Sequence, residues 1–250
     1  MNLMIAKLPD EKLTREGFVP KVLREWMADG LLINYNRTIP ERMIELIEGH
    51  QISAVWINCK RDADCVYPDD FGGGPAATDH LLKLGHRDVA YMEFSAGKPS
   101  QRHYSETDRR AGYEQAMRQA GLMPRVYARG PADRGRSKLD LAIGWLSQPQ
   151  RPTAVVAYSY TGLVQHAAVL AGLRPPRELS VVSFADRPTR SLGRRDTTVV
   201  VPAGAVGERA VEMLMAKLES PDGSLEPVVV PEVVSEGEAT APPGRGPGKG

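Results

Sequence analysis

Residues able to do chemistry are sparse in this chain, and their spacing suits binding better than bond making. The five histidines, His50, His80, His86, His103 and His166, are scattered without metal-ligand spacing, and no serine elbow accompanies them. Cys59 and Cys65 have five residues between them and no histidine near enough to complete a zinc pattern, so two reduced thiols are expected. Gly72–Gly73–Gly74 precedes a helix-like stretch, where backbone donors can hold an anion. No lysine followed by serine or threonine comes after it, so the glycines read as a permissive turn leading into the helix. His86 reads as a helix-end residue, favoured by the negative end of the dipole, and not as a base. The chain is therefore expected to hold no metal and no cofactor, and not to be an enzyme.

A few polar groups stand where α/β proteins hold small molecules. Arg109 falls in the first turn of a helix, where the positive end of the dipole disfavours a cation. Its guanidinium offers fixed donors for hydroxyls or a carboxylate, or else it is solvated and paired with Glu106. Asn58 follows an apolar run and either hydrogen-bonds a ligand or forms the turn before Cys59–Lys60. Tyr158, Ser159 and Tyr160 follow another such run, and either tyrosine could stack on a ring-shaped ligand or pack at the core or rim. Asp186 follows a third.

The elements that would position these groups alternate along the chain. Strands are expected at Leu3–Ala6, Gly30–Asn34, Ser53–Ile57, Asp88–Met92, Thr153–Ala157, Ser180–Phe184 and Thr197–Val201. Most are continuous apolar runs, which suits strands of a parallel sheet buried on both faces. Helices are expected at Pro20–Ala28, Glu41–Gly49, Ala76–Leu84 and Ser105–Ala120, the last opened by a capping-box pattern from Ser105 to Asp108 and closed at Gly121. Val206, Ala210, Met213, Leu214 and Leu218 form one further apolar stripe. Such alternation implies βαβ units and a doubly wound α/β fold.

Bulk properties narrow the function classes. The 250 residues are 42% hydrophobic and 25% charged, with 32 basic and 31 acidic side chains. A net charge of +1 lacks the footprint of a free-standing nucleic-acid binder. No apolar run could span a bilayer, and Met1–Asp10 does not read as a signal peptide, so a cytoplasmic location without membrane contact is expected. The closing residues, Pro243–Gly250, are only glycine, proline, lysine and arginine and read as a disordered tail.

Three stretches in order carry a resemblance. The first runs from Asp69–Asp70–Phe71–Gly72–Gly73–Gly74 through His80–Leu81–Leu82–Lys83–Leu84–Gly85–His86–Arg87 into the strand at Asp88–Met92. The second is His103–Tyr104–Ser105 followed by Arg109, Gly112 and Tyr113. The third is Glu178–Leu179–Ser180–Val181–Val182–Ser183–Phe184–Ala185–Asp186, followed by Thr197–Thr198–Val199. Together they resemble the effector-binding sensor domain of LacI/GalR (lactose-repressor-type) bacterial transcription regulators.

That resemblance implies a type I periplasmic-binding-protein-like architecture, with two Rossmann-like lobes of parallel sheet joined by three crossovers. The N-terminal lobe would comprise residues 1–94 and 199–222, the C-terminal lobe 95–198 and 223–242. It implies a small-molecule effector, a sugar or similar, bound by Arg109, Asn58, Tyr158, Ser159 and Asp186, and allosteric control of operator DNA by a homodimer. Two departures bear on the ligand. The family usually has two consecutive acids where this chain has Ala185–Asp186, and asparagine–aspartate where it has Tyr158–Ser159–Tyr160. These point to a ligand other than a simple neutral sugar, or to a degenerate site, with Asp186 a solvated loop residue.

The resemblance also implies that the helix-turn-helix domain and the first strand and helix of the N-terminal lobe are missing. The family sheet order 2-1-3-4-5 would place the absent strand between Leu3–Ala6 and Gly30–Asn34. A truncated gene, a misplaced start or a fragment would each give this sequence. Such a chain is expected to be poorly stable and unable to bind operator DNA by itself. The other readings are a solute-binding protein of a transport system, which would need an export signal, a sugar-active or nucleotide-active enzyme, which would show turnover in place of simple binding, and a truncated non-functional remnant.

Overall fold

The apolar runs of the sequence become the inner strands of two sheets. The computed structural model describes residues 28–34, 39, 41–95, 102–221 and 223–244. The strand expected at Leu3–Ala6 lies outside these residues, as do most of the helix expected at 20–28 and most of the tail at 243–250.

In chain order the elements begin with β1 (Gly30–Asn34), α1 (Glu41–Gly49), β2 (Ser53–Ile57), β3 (Cys65–Pro68), α2 (Asp70–Lys83) and β4 (Val89–Glu93). There follow α3 (Tyr104–Gln119), β5 (Arg125–Ala128), α4 (Lys138–Leu146), β6 (Ala154–Ala157), α5 (Thr161–Leu170) and β7 (Ser180–Ala185). The last are β8 (Arg190–Ser191), β9 (Arg194–Arg195), β10 (Thr197–Val200), α6 (Ala203–Glu219), β11 (Val228–Val230) and β12 (Val233–Ser235). The chain divides into two units, one running through Tyr67 and including Gly204–Val230, the other comprising Pro68–Ala203 and the residues from Pro231 on. It crosses between them three times.

The first unit carries a four-stranded sheet in the order β1-β2-β3-β11, with β1 parallel to β2 and β2 parallel to β3. Alternation along β2 sends side chains to both faces. Ala54 and Trp56 join Ile33, Met43, Ile47 and Cys65, while Val55 joins Val66, Val206, Ala210 and Met213. Asp64 ties this unit together, accepting from Lys217 Nζ at 2.6 Å and from the Leu225 amide at 2.9 Å.

The second unit holds a six-stranded sheet, β12-β10-β7-β6-β4-β5, parallel except where β12 runs antiparallel to β10. Leaving β12 aside, this is the 2-1-3-4-5 order of a doubly wound fold. Both faces are covered, which is why β4 and β6 are buried along their whole length. Val155 and Ala157 pack with Leu141, Leu146, Val164 and Ala167 on one side; Ala154 and Val156 pack with Leu81, Tyr113 and Met117 on the other.

The units part at 67/68, 203/204 and 230/231, where sequence reasoning places the divisions at 94/95, 198/199 and 222/223. The physical reason is pairing. β4 lies between β5 and β6, β10 continues the same sheet, and β11 belongs to the four-stranded one. Two helix starts also differ. α2 begins at Asp70, so the three glycines lie inside it, not in a turn before it. α3 begins at Tyr104, with His103 as its cap in place of Ser105.

Candidate functional site

The start of α2 is fixed locally. The Asp69 side chain accepts from the Gly72 amide at 2.9 Å, a helix cap that leaves Asp70 in the first turn, where the dipole favours an anion. The glycines of this turn then do what no other residue could. A Cβ on Gly74 would stand 2.5 Å from the Arg109 carbonyl oxygen and 2.7 Å from the Tyr113 amide nitrogen. α2 and α3 therefore cross backbone to backbone, and Asp70 comes against the Arg109 side chain.

Arg109 is buried, only 8% exposed. Its Nε donates to Asp70 Oδ1 at 2.6 Å and its Nη2 to Glu232 Oε1 at 3.2 Å. The guanidinium carbon lies 4.3 Å from the Phe184 ring centroid, at the carboxyl end of β7, and 5.2 Å from that of Tyr158, just past β6. Tyr158 is held in turn by a 2.9 Å hydrogen bond between its hydroxyl and Ser105 Oγ, from the first turn of α3. The cation thus lies against two aromatic rings and two carboxyls, with Nε and Nη2 as the donors the carboxyls take up.

Burial works against the Arg109 charge, but Asp70 and Glu232 outweigh it and hold the guanidinium above its ordinary pKa. Burial dominates at Glu232; Arg109 opposes it, Asp70 reinforces it, and the carboxyl is pushed up to about 8. Burial also raises the Tyr158 hydroxyl. The Tyr104 hydroxyl, hydrogen-bonded to Asp70, is driven well above the usual phenol range, chiefly by burial and then by that carboxylate.

The structure brings Arg109 and Tyr158 together, with half-buried Ser159 following in the chain. Arg109 is neither solvated nor paired with Glu106, which instead lies 3.8 Å from Arg102. Asp186 is exposed beyond β7. Asn58 belongs to the first unit and takes a left-handed conformation (φ 57°), its amide continuing the β2–β3 pairing by donating to the Val66 carbonyl at 2.9 Å. Tyr160 sits at the rim with Lys138 Nζ 3.8 Å from its ring centroid. His86 does stand at the end of α2, its amide donating to the Leu81 carbonyl at 3.2 Å, but its ring is buried, donating from Nε2 to the Ala241 carbonyl at 2.9 Å, with Nδ1 2.9 Å from Thr153 Oγ1.

Sequence reasoning missed the two carboxyls that hold Arg109. The signal for Asp70 was an acid one residue past a capping aspartate, once the glycines are read as helical. The signal for Glu232 was a lone acid between two valine runs, Val228–Val230 and Val233–Val234.

Comparison with known proteins identifies the family and the fold. Residues 78–240 match the model of the periplasmic binding protein-like domain. The HTH-type transcriptional repressor PurR of Erwinia tasmaniensis is 29% identical over 208 residues, covering 77% of this chain and 58% of that protein. The ribose operon repressor of Haemophilus influenzae is 27% identical over 236 residues, covering 92% of this chain and 69% of that one. The crystal structure of a LacI family transcriptional regulator from Mycobacterium smegmatis is 30% identical, with a TM-score of 0.69 over 89% of this chain and 82% of the other. A Rhizobium etli regulator at 22% identity shares the fold, with a TM-score of 0.73. The chain thus spans 58% of the length of the PurR repressor that it matches.

Proposed function

The chain belongs to the LacI family of transcriptional regulators, built on a periplasmic-binding-protein-like domain, and on that premise we propose that it is the part that senses a small molecule. Arg109, Tyr158 and Ser159 are its proposed contacts, at the carboxyl ends of the parallel strands where α/β folds hold ligands. The observation that carries the reading is the Arg109 guanidinium set between the Tyr158 and Phe184 rings at that end of the sheet.

As proposed, ligand binding biases the domain between two states, and a dimer passes that bias to operator DNA through a helix-turn-helix domain joined to this one. The name of one relative, a ribose operon repressor, suggests ribose as a first candidate.

A thermal-shift screen of sugars, nucleobases and small acids tests the reading. A ligand at a hundredfold excess over its Kd adds about 2.7 kcal/mol, a rise of roughly 5–10 °C for a domain of this size. The rise should be lost in Tyr158→Ala. A folded sample whose melt responds to nothing in a broad panel would remove the support for a sensor.

A further inference from the structure

Burying one guanidinium with two carboxyls leaves a charge to be settled. Asp70 and Glu232 both reach Arg109, at 2.6 and 3.2 Å, and their side chains are fully enclosed. With both ionised, the cluster would hold one uncompensated negative charge away from water, which is strongly unfavourable. Each carboxyl also keeps one buried oxygen without a donor, Asp70 Oδ2 and Glu232 Oε2. A metal cation would have to sit beside the guanidinium to reach them. One proton settles the charge and both oxygens at once.

The asymmetry of the site decides which carboxyl carries it. Asp70 lies in the first turn of α2 and accepts the shorter Arg109 bond together with one from the Tyr104 hydroxyl, so the negative charge rests there. Glu232 has the longer contact only, and its carboxyl titrates far above the ordinary carboxylate range because of burial and the neighbouring Asp70.

We infer that Asp70, Arg109 and Glu232 form a proton-binding site, in which Glu232 donates the held proton to Asp70 and thereby latches the segment after Val230 onto the second unit. Glu232 is the second residue after the chain leaves the first unit. The next residue begins β12, whose register on β10 pairs Val233 with Val200, Val234 with Val199 and Ser235 with Thr198. Loss of the proton puts a second anion beside Asp70. On the α2 side the carboxylate is blocked, since it lies so close to Gly73 that even a Cβ there would collide with Oε2. The remaining escape is outward, with the chain around residues 231–233.

Among the described residues, the groups around the cluster do not supply a competing proton. They are Asp70 from α2, Arg109 and Tyr104 from α3, Tyr91 from β4 and Tyr158 after β6; Phe184 of β7 is apolar and β10 carries no titratable side chain. Burial raises all three tyrosines above their usual value.

The inference shares Arg109 with the proposed effector site but needs no effector, so its test is made without ligand and fails or succeeds separately. Protein labelled with ¹³C at the glutamate carboxyls is titrated from about pH 4 to about pH 10 by NMR, alongside amide hydrogen exchange. One glutamate carbon should titrate near pH 8 and be absent from Glu232→Gln. Amide protection over residues 232–235, corrected for intrinsic exchange, should fall at least about tenfold from about pH 6.5 to about pH 9.5, and should not fall in Glu232→Gln. In Asp70→Asn the same carbon should move down towards the ordinary range, because Glu232 then meets Arg109 alone. Glutamates that all titrate normally, a wild type whose protection ignores pH, or an Asp70→Asn chain with an unmoved titration would each overturn the inference, whether or not Glu232→Gln folds.

Discussion

Gly74 of α2 and Gly112 of α3 face one another where the two helices cross: a Cβ on Gly112 would lie 3.2 Å from the Gly74 Cα and 2.2 Å from the Phe71 carbonyl oxygen. The obstructing atoms are backbone and Pro75, which cannot rotate aside. Gly112→Ala should therefore destabilise the chain although alanine is the better helix former. Overpacking of this kind costs about 3 kcal/mol and the gain in propensity returns about 1, leaving a loss of roughly 2 kcal/mol. Urea titration reads it directly, and an unchanged midpoint would show that the helices can part without cost.

Removal of Arg109 should be costly. Arg109→Met keeps much of the packing against Phe184 but leaves Asp70 buried with no cation. Breaking a buried pair by deleting one partner costs about 3–5 kcal/mol. Arg109→Lys should fall between, since an ammonium cannot present the Nε and Nη2 donors that Asp70 and Glu232 accept. Stability in the order wild type, lysine, methionine is expected from denaturant curves at neutral pH; a methionine variant as stable as wild type would mean that the cluster contributes no net energy.

Sequence alone went furthest where a pattern is local. The runs at Ser53–Ile57 and Ser180–Phe184 announced buried strands because β-branched and aromatic residues dominate them and no charged side chain breaks them, and both form within one residue of expectation. Arg109 drew attention as a cation expected in a first helical turn, although α3 begins at Tyr104 and so places it in the second turn, where the dipole of the helix end weighs less. What stayed hidden was set by tertiary contact. Three consecutive glycines look like a turn until a second helix demands their missing side chains. Glu232 is 123 residues from Arg109, and nothing near either residue names the other. The strand Cys65–Pro68, four residues long and ended by proline, reads as strand only through its register on Trp56 and Ile57.

Glu232 and His86 should give the stability opposite slopes with pH. Glu232 has its carboxyl raised in the folded chain, so its contribution is full below the unfolded value of about 4.3 and is lost as pH climbs through about 8. The slope is at most about 1.4 kcal/mol per pH unit. Glu232→Gln should flatten that limb of the curve, measured as unfolding free energy against pH. A variant that keeps the full slope would place its origin elsewhere.

His86 works the other way. Burial lowers its pKa, only partly countered by the bond to the Ala241 carbonyl, so the folded chain prefers the neutral ring. Its contribution is present above the unfolded value of about 6.5 and is lost as pH falls through the lower folded value. His86→Gln, which can still donate to Ala241, should lose stability at neutral pH yet show a weaker decline in acid. An acid limb unaltered by the substitution would clear His86 of any part in it.

Asp196 holds a different part of the second unit in place. It is fully buried and accepts from Gln165 Nε2 at 3.0 Å, Thr189 Oγ1 at 2.6 Å and Ser191 Oγ at 2.9 Å, while its amide donates to the Thr189 carbonyl at 2.9 Å. Two of those donors flank or begin the short hairpin β8–β9, which carries Arg190, Arg194 and Arg195, all exposed. Asp196→Ala would strand three donors around an emptied site; bonds to a charged acceptor contribute about 1.5–3 kcal/mol each, and as a shared network they should cost about 3–5 kcal/mol together. The loss should fall mainly on the hairpin, because β10 remains paired to β7 and β12 through its backbone. Trypsin reports this locally, since its sites at Arg190, Arg194 and Arg195 need an extended, mobile chain. Cleavage there should be at least about tenfold faster in Asp196→Ala, with Asp196→Asn between the two. Equal cleavage in wild type and alanine variant would mean that the hairpin keeps its shape without the buried carboxylate.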